Sequence, residues 1–185
     1  MYSEIGLFAL KLSFVVAIYG TIGSFVGHFQ KNPRLVLSAR YALFSVVFLL
    51  IIATISLVIG FVAHDFSIRY VYENSNLSMP AQYTWVAFYA GNAGSLLFIA
   101  MVYAILIVVT LVTVIKAYRN LAACVAGIMG VVLVFFLGVI VFLANPLEKL
   151  DYIPLDGLGI NPLLIHFGMF IHPPMQMTGL ISVVI

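Results

Sequence analysis

The sequence predicts an all-α fold: a polytopic integral membrane bundle of helices with two long outer loops. Of the 185 residues, 64% are hydrophobic and only 8% are charged, whereas a typical soluble domain has about 25% charged residues. The apolar segments are continuous rather than alternating, which favours helices over the strands of a membrane barrel. We therefore expect a single membrane domain, residues 1–185, that has the lipid bilayer as its constant partner.

The composition also excludes several classes of function. The net charge of +2 is small, so nothing indicates nucleic-acid binding. The single cysteine, Cys124, lies in an apolar segment and leaves no internal disulfide, dithiol pair or C-x-x-C-H haem-attachment site. The sequence offers no paired carboxylates, nucleophile constellation or phosphate-binding loop.

The apolar segments predict four complete transmembrane helices and the start of a fifth. A bilayer needs about 20 apolar residues for each span. The complete spans are predicted at about residues 5–29, 41–63, 93–115 and 121–144, with outer loops at residues 64–92 and 145–172. The fifth segment, residues 173–185, is too short to cross. We expect either that the natural C-terminus lies further on or that this is one piece of a divided protein.

Two features of the spans indicate how the helices pack and which way they face. Gly23 and Gly27 form a small-residue pair that favours close helix packing in a polytopic bundle. The short connections after spans one and three hold five of the basic residues, whereas the long loops hold only Arg69 and Lys149. Because basic residues mark the cytoplasmic side, the N-terminus and both long loops are predicted to face outwards.

The segment 156–174 is the most informative part of the chain, because it is rich in glycine and proline and holds His166 and His172. A residue before proline is pushed out of the α region, and proline suits the first turn of a helix. His172 is therefore predicted to be extended, just before a helix that begins at Pro173 or Pro174. There it could titrate, bind a metal or face a ligand, or simply cap the helix. From the residues alone the capping role is favoured.

Aromatic residues in the first long loop have two interpretations. They usually form a belt at the membrane surface, and they could instead form one wall of a ligand cleft. The residues concerned are Tyr70, Tyr72, Tyr83, Trp85 and Tyr89.

Three motifs, in order, resemble one known family. Asp65-Phe-Ser-Ile-Arg-Tyr-Val-Tyr-Glu-Asn-Ser-Asn, with Met79-Pro80 and Tyr83, resembles the first outer loop of the CcmF-type haem lyase of system I cytochrome c maturation. Ala90-Gly-Asn-Ala-Gly-Ser-Leu-Leu is similar to that family's W-G-G-x-x-G-S-L-L segment. Asp156-Gly-x-Gly-x-Asn-Pro-Leu-Leu, followed by His172-Pro-Pro, is similar to its D-G-x-G-L-N-P-L-L and H-P-P motifs. The resemblance, which extends to the wider haem-handling CcmF, CcmC and CcsA group, covers the N-terminal portion of such a protein.

The resemblance implies an activity and its partners. The family takes haem b from a haem chaperone and joins its vinyl groups to the cysteine thiols of apocytochrome c. A tryptophan-rich platform downstream of the H-P-P motif holds the haem, so this chain would be incomplete as an enzyme without such a segment or a partner chain that carries it. The resemblance also implies the bacterial cytoplasmic (inner) membrane, or alternatively the mitochondrial inner membrane.

The resemblance assigns His172 as an axial ligand of the haem iron, while the catalytic residues stay unassigned. His166 is expected to be solvated or packed rather than a second ligand. The residues expected to support the loops around the haem are Tyr70, Asn74, Ser75, Pro80, Tyr83, Asn161, Pro162, Pro173 and Pro174. The alternative function is a non-catalytic structural membrane subunit of a larger complex, or a transporter-like protein.

The predicted orientation is tested with single cysteines introduced by Asn32→Cys and Ser78→Cys in a Cys124→Ala background. Basic residues place Asn32 on the cytoplasmic side and Ser78 outside. A membrane-impermeant maleimide applied to intact cells should therefore label the Ser78→Cys variant and not the Asn32→Cys variant. The opposite labelling pattern would invert the topology.

Overall fold

The chain is organised as long helices separated by two irregular segments that contain short helical turns. The computed structural model describes residues 1–117 and 121–184. The α-helices are α1 (Tyr2–Phe29), α2 (Pro33–Val62), α3 (Arg69–Asn74), α4 (Ala81–Thr84), α5 (Asn92–Ala117), α6 (Ala122–Phe142) and α7 (His172–Ser182). Turns of 3-10 helix lie at Val86–Tyr89, Pro162–Leu164 and Phe167–Phe170.

Four of these helices are long and apolar enough to cross a membrane: α1, α2, α5 through Thr113, and α6. They are 28, 30, 22 and 21 residues long over these ranges, and about 20 residues span the hydrocarbon core. The predicted all-α polytopic membrane fold is therefore confirmed. Helix α1 packs on α2 and α6, and α5 packs on the same two helices, so the four form a closed bundle with α7 against α5.

Small residues allow α1 to approach its neighbour closely. A Cβ at Gly23 would lie 3.0 Å from the Ala39 Cβ, and a Cβ at Gly27 would lie 2.8 Å from a Val36 methyl group. In a bilayer such close contacts replace the hydrophobic drive that water would supply. The glycine pair is thus a packing face within this chain, as the sequence predicts.

The second helix begins earlier than predicted, at Pro33 rather than near Tyr41. The Asn32 side-chain oxygen accepts hydrogen bonds from the backbone N–H groups of Arg34 and Leu35, at 3.1 and 3.2 Å. Asparagine as the N-cap followed by proline is a strong helix start. The sequence prediction followed the continuous apolar composition, which starts near Tyr41, and therefore missed the helical turns between Pro33 and that point.

The last helix also begins earlier than predicted, since His172 is its first residue and is not extended. The Met175 N–H donates to the Ile171 carbonyl at 3.1 Å, which closes the first helical turn around His172. Pro173 and Pro174 fall where a helix leaves its first N–H groups without internal partners, so their missing N–H groups cost nothing there. Proline only disfavours the α region for the preceding residue, and here the helix turn prevails.

The start of α5 depends on a glycine. Gly94 lies in its first turn, and a Cβ there would collide with the backbone carbonyl of Phe88 and lie 2.7 Å from the Tyr70 hydroxyl. Backbone cannot move aside as a flexible side chain can, so this position admits only glycine.

Gly94→Ala is therefore expected to lower the free energy of unfolding by about 1–3 kcal/mol, the usual cost of overpacking. The control is Gly179→Ala in α7, where a Cβ would meet nothing within 4 Å. That control should be neutral or stabilising by up to about 1 kcal/mol, because alanine favours helix. Thermal unfolding in detergent measures both, and equal midpoints for the two variants would contradict the close approach at Gly94.

Candidate functional site

The two long loops are joined by backbone hydrogen bonds near their starts. The Arg69 N–H donates to the Glu148 carbonyl at 2.9 Å, and the Leu150 N–H donates to the Ser67 carbonyl at 2.8 Å. Ile68 and Lys149 form an isolated antiparallel bridge between them. The prediction that the two loops pack on each other is confirmed for the described residues.

A carboxylate makes the next connection between the loops. One Asp156 oxygen accepts hydrogen bonds from the N–H groups of Leu77, at 2.9 Å, and of Gly157, at 2.7 Å. The chain then continues against the first loop, because the Leu158 N–H donates to the Tyr72 carbonyl at 2.8 Å. The start of the Asp156-Gly motif is therefore a loop-to-loop clasp.

The second glycine of that motif supplies a backbone conformation that other residues avoid. Gly159 has φ of +85°, in the left-handed region that favours glycine. Its N–H donates to the Ser75 carbonyl at 3.1 Å, and a Cβ there would press on the Asn76 amide at 2.7 Å. Gly159 lets the second loop run close along the first.

Tyr70 is buried and connects α3 to the start of α5. Its hydroxyl donates to the Phe88 carbonyl at 3.0 Å and accepts from the Gly91 N–H at 2.8 Å. Burial raises the pKa of Tyr70 to about 12, against the opposing effect of the Gly91 and Gly94 N–H groups. The phenol therefore stays protonated and acts as a structural donor.

Asn74 and Ser75, which the sequence assigns to loop support, complete α3. The Asn74 amide donates to the Tyr70 carbonyl at 2.9 Å, and the buried Ser75 hydroxyl donates to the Val71 carbonyl at 2.8 Å. Such side-chain bonds satisfy carbonyls at a helix end. Their contacts support a structural role.

The chain immediately before His172 is held by the first loop. The Phe170 ring lies 5.4 Å from the Tyr83 ring and 5.9 Å from the Trp85 ring, measured between centroids. The buried Tyr89 donates its hydroxyl to the Met169 carbonyl at 3.0 Å. Burial raises the pKa of Tyr89, so this donor keeps its proton.

His172 itself is exposed at the start of α7, and no described residue hydrogen-bonds its ring. Its backbone is fixed on one side by the Met169 and Phe170 contacts and on the other by the half-buried Pro173 and Pro174. The imidazole ring is therefore free of hydrogen bonds to the described residues, while the backbone that carries it is fixed.

His166 is engaged locally instead. Its Nδ1 accepts a hydrogen bond from the Gly168 N–H at 3.1 Å, which caps the Phe167–Phe170 turn. An accepting Nδ1 leaves the proton of a neutral imidazole on Nε2. In this arrangement neither nitrogen has a free lone pair for a metal.

The other predicted support residues lie at turns. Asn161 accepts at its side-chain oxygen from the Leu163 N–H at 3.0 Å, and Pro162 begins the 3-10 turn there. The Pro80 carbonyl accepts from the Tyr83 N–H at 2.8 Å at the start of α4. The structure thus places these residues as turn formers in the loops.

His64 and Asp65 end α2 and tie it to the N-terminus. His64 takes φ of +50°, as the residue after a helix C-cap often does. Asp65 accepts hydrogen bonds from the hydroxyls of Tyr2 and Ser67, each at 2.5 Å. Burial alone would raise the pKa of Asp65, but these hydrogen bonds and the charge of Lys149 bring it below its ordinary value.

Sequence reasoning missed Met169 and Phe170, the two residues through which the first loop holds the turn that precedes His172. Both look like ordinary apolar residues, and no local pattern marks them. It also missed the apolar surface of the second loop, where large side chains are exposed to solvent. These are Ile153, Leu155, Leu158, Leu163 and Phe167.

Among the described residues, no group of three or more His, Cys, Asp or Glu side chains could hold a metal ion. His172 is therefore a single donor. It can supply one bond to a metal whose other ligands come from elsewhere. Haem iron is such a metal, because the porphyrin supplies four of its ligands.

Comparisons with known proteins place the chain. It is 31% identical to the cytochrome c-type biogenesis protein CcmF of Haemophilus influenzae over 98% of its own length and 28% of that protein's. It is 30% identical to CcmF of Escherichia coli and to ccl1 of Rhodobacter capsulatus, each over 98% of this chain and 28% of the relative. No protein-family model matches the sequence.

A solved structure has the same fold. A chain described as cytochrome c haem lyase CcmF matches with a TM-score of 0.82 and 22% identity, over 99% of this chain and 28% of that one. The resemblance to CcmF-type cytochrome c biogenesis proteins is confirmed, and the chain spans about 28% of the length of these relatives.

The Tyr89 contact yields a prediction. Tyr89→Phe removes the bond to the Met169 carbonyl and should lower the free energy of unfolding by about 0.5–1.5 kcal/mol. It should also speed amide hydrogen exchange over residues 167–172, which can be followed by mass spectrometry. The control is Tyr152→Phe, because Tyr152 is 61% exposed. Unchanged amide exchange in Tyr89→Phe would show that this hydrogen bond does not hold the turn that precedes His172.

Proposed function

We propose that this chain is the N-terminal part of a haem lyase for cytochrome c biogenesis and that it presents His172 to haem as an axial ligand. The observation that carries the proposal is an exposed imidazole at the start of α7 that no described residue hydrogen-bonds, on a backbone held by the other loop. The match of the whole chain to CcmF-type proteins supports it.

The donor set fits the substrate. A haem iron takes a neutral imidazole as an axial ligand, and the His172 ring has a free edge for it. Exposed apolar side chains, including Phe167 at 68% and Ile171 at 49% exposure, precede it within one to five residues of the chain and suit the apolar face of a porphyrin. We take the substrate to be haem b.

In the proposed reaction each cysteine S–H of apocytochrome c adds across a vinyl double bond of the haem. Sulfur bonds to one vinyl carbon and the proton goes to the other, so nothing leaves and no electrons are transferred overall. The demand on the protein is therefore orientation. Residues of this chain meet it by holding the iron through His172 while the two loops fix that histidine.

The second ligand and the aromatic platform are assigned to a tryptophan-rich segment in a downstream portion or a partner chain. A haem chaperone is the proposed donor and apocytochrome c the acceptor. We place the chain in the bacterial cytoplasmic membrane with the N-terminus and both long loops outside, because the short connections carry most of the basic residues.

The proposal is tested by titrating haemin into the chain, purified in lipid nanodiscs together with the downstream portion or partner chain that carries the platform, and recording absorption spectra. His172→Ala removes the proposed bond to the iron and should weaken haem binding at least about tenfold. Replacing a residue that only supports a metal ligand already lowers metal affinity by about that much. His172→Ala should also change the Soret band.

His166→Ala is the matched control, because it removes an imidazole from the same loop without removing the proposed ligand. It should leave affinity and spectrum unchanged. Wild-type protein that binds no haemin, or that binds it exactly as His172→Ala does, would overturn the ligand assignment. That result would favour a structural membrane subunit.

A further inference from the structure

A cavity of about 980 Å³ opens at the opposite end of the bundle from His172. It lies between the corner that joins α1 to α2 and the start of α6, with Leu111 of α5 on one side. Among the described residues, its charged or titratable lining residues are His28, Lys31 and Arg40, and its apolar walls include Phe29 and Val36. The proposed haem chemistry uses none of these residues.

Acidic residues are absent from the parts of the chain that line this cavity. The six acidic residues all lie in or beside the long loops, and residues 5–64 contain no Asp or Glu. Lys31, Arg34 and Arg40 fall in that acid-free stretch. The cations at the cavity therefore have no carboxylate on α1 or α2 to pair with at this end of the bundle.

Arg40 gives a second, independent observation. Its guanidinium carbon lies 5.4 Å from the centre of the Tyr41 ring, which fixes its direction. Its Nε is buried and, among the described residues, has no hydrogen-bond partner. A buried donor without a partner is rare in folded proteins, and a guanidinium fork matches the oxygens of a phosphate group.

The cavity lies at one end of the bundle, where α1 ends and α2 and α6 begin. The ends of membrane-spanning helices lie near the level where lipid head groups meet the hydrocarbon core. A ligand there would meet both cations and apolar walls. Free phosphate would use only the cations.

We propose that this cavity binds the phosphate diester of an anionic phospholipid, with Arg40 and Lys31 on the phosphate and the acyl chains along Phe29 and Val36. Basic pockets between transmembrane helices are suited to anionic head groups. The proposal concerns a lipid site and stands independently of the haem ligand.

The test is native mass spectrometry of the purified chain, released from nanodiscs that contain equal amounts of phosphatidylglycerol and phosphatidylcholine. Wild-type protein should retain phosphatidylglycerol in preference. Arg40→Gln and Lys31→Asn should each reduce that retention about fivefold, the effect of one basic residue near anionic lipid. Asparagine is chosen because Lys31 has φ of +53°, which asparagine tolerates.

Arg34→Gln is the matched control, because Arg34 is an exposed cation on the same turn of chain and is not among the residues that line the cavity. It should keep the preference. An equal loss in Arg34→Gln would show general attraction to the charged end rather than a site, and equal retention of both lipids by the wild type would also overturn the proposal.

Two further arms make the result decisive. Complete displacement of phosphatidylglycerol by millimolar inorganic phosphate would overturn the lipid assignment in favour of a free anion. Circular dichroism and size-exclusion chromatography show whether Arg40→Gln folds, and if it does not, Arg40→Lys and Lys31→Asn decide. Retention kept in Arg40→Lys and lost in Lys31→Asn supports the site, whereas full retention in Lys31→Asn overturns it.

Discussion

Irregular backbone that packing shields from water must find hydrogen-bond partners in the protein, and here the two long loops supply several of them to each other. Buried N–H and C=O groups are costly when left unpaired. The bridge between residues 67–69 and 148–150, and the clasp made by Asp156, meet that demand. Because the loops join different pairs of spans, the same bonds hold the ends of α2 and α6 in register.

The position of His172 follows from this loop contact. The imidazole is exposed, yet the turn before it is fixed by Tyr89 at Met169 and by two aromatic rings at Phe170. A side chain on a fixed backbone loses little conformational entropy when it binds a partner. The loops thus fix the backbone before His172 while its ring stays exposed, as the proposed ligand role requires.

The two ends of the bundle have opposite chemistry. The end with the long loops holds the acids, the exposed apolar surface and His172, whereas the short-connection end holds cations around a cavity with no acidic residue nearby in the sequence. Ion pairs such as Arg69 with Glu148, at 3.0 Å, lie exposed at the first end and contribute little to stability. The charge asymmetry is therefore not a large source of folding stability.

The sequence by itself determined the class of the protein, the four spans and the small-residue packing face. These follow from local composition and spacing, because a helix in lipid satisfies its own backbone and shows itself as a continuous apolar segment. The motifs around Asp65, Gly91 and Asp156 also located both loops and pointed to His172.

Only the tertiary structure decided what holds that histidine and where its helix begins. Tyr89 reaches Met169 and Asp156 reaches Leu77 across 80 and 79 residues of sequence. No local pattern encodes such partners. The start of α7 at His172, against the preference of a residue before proline, was likewise set by a helical hydrogen bond that outweighs a local tendency. Sequence patterns report what a segment can do alone, and packing decides which of those options the chain takes.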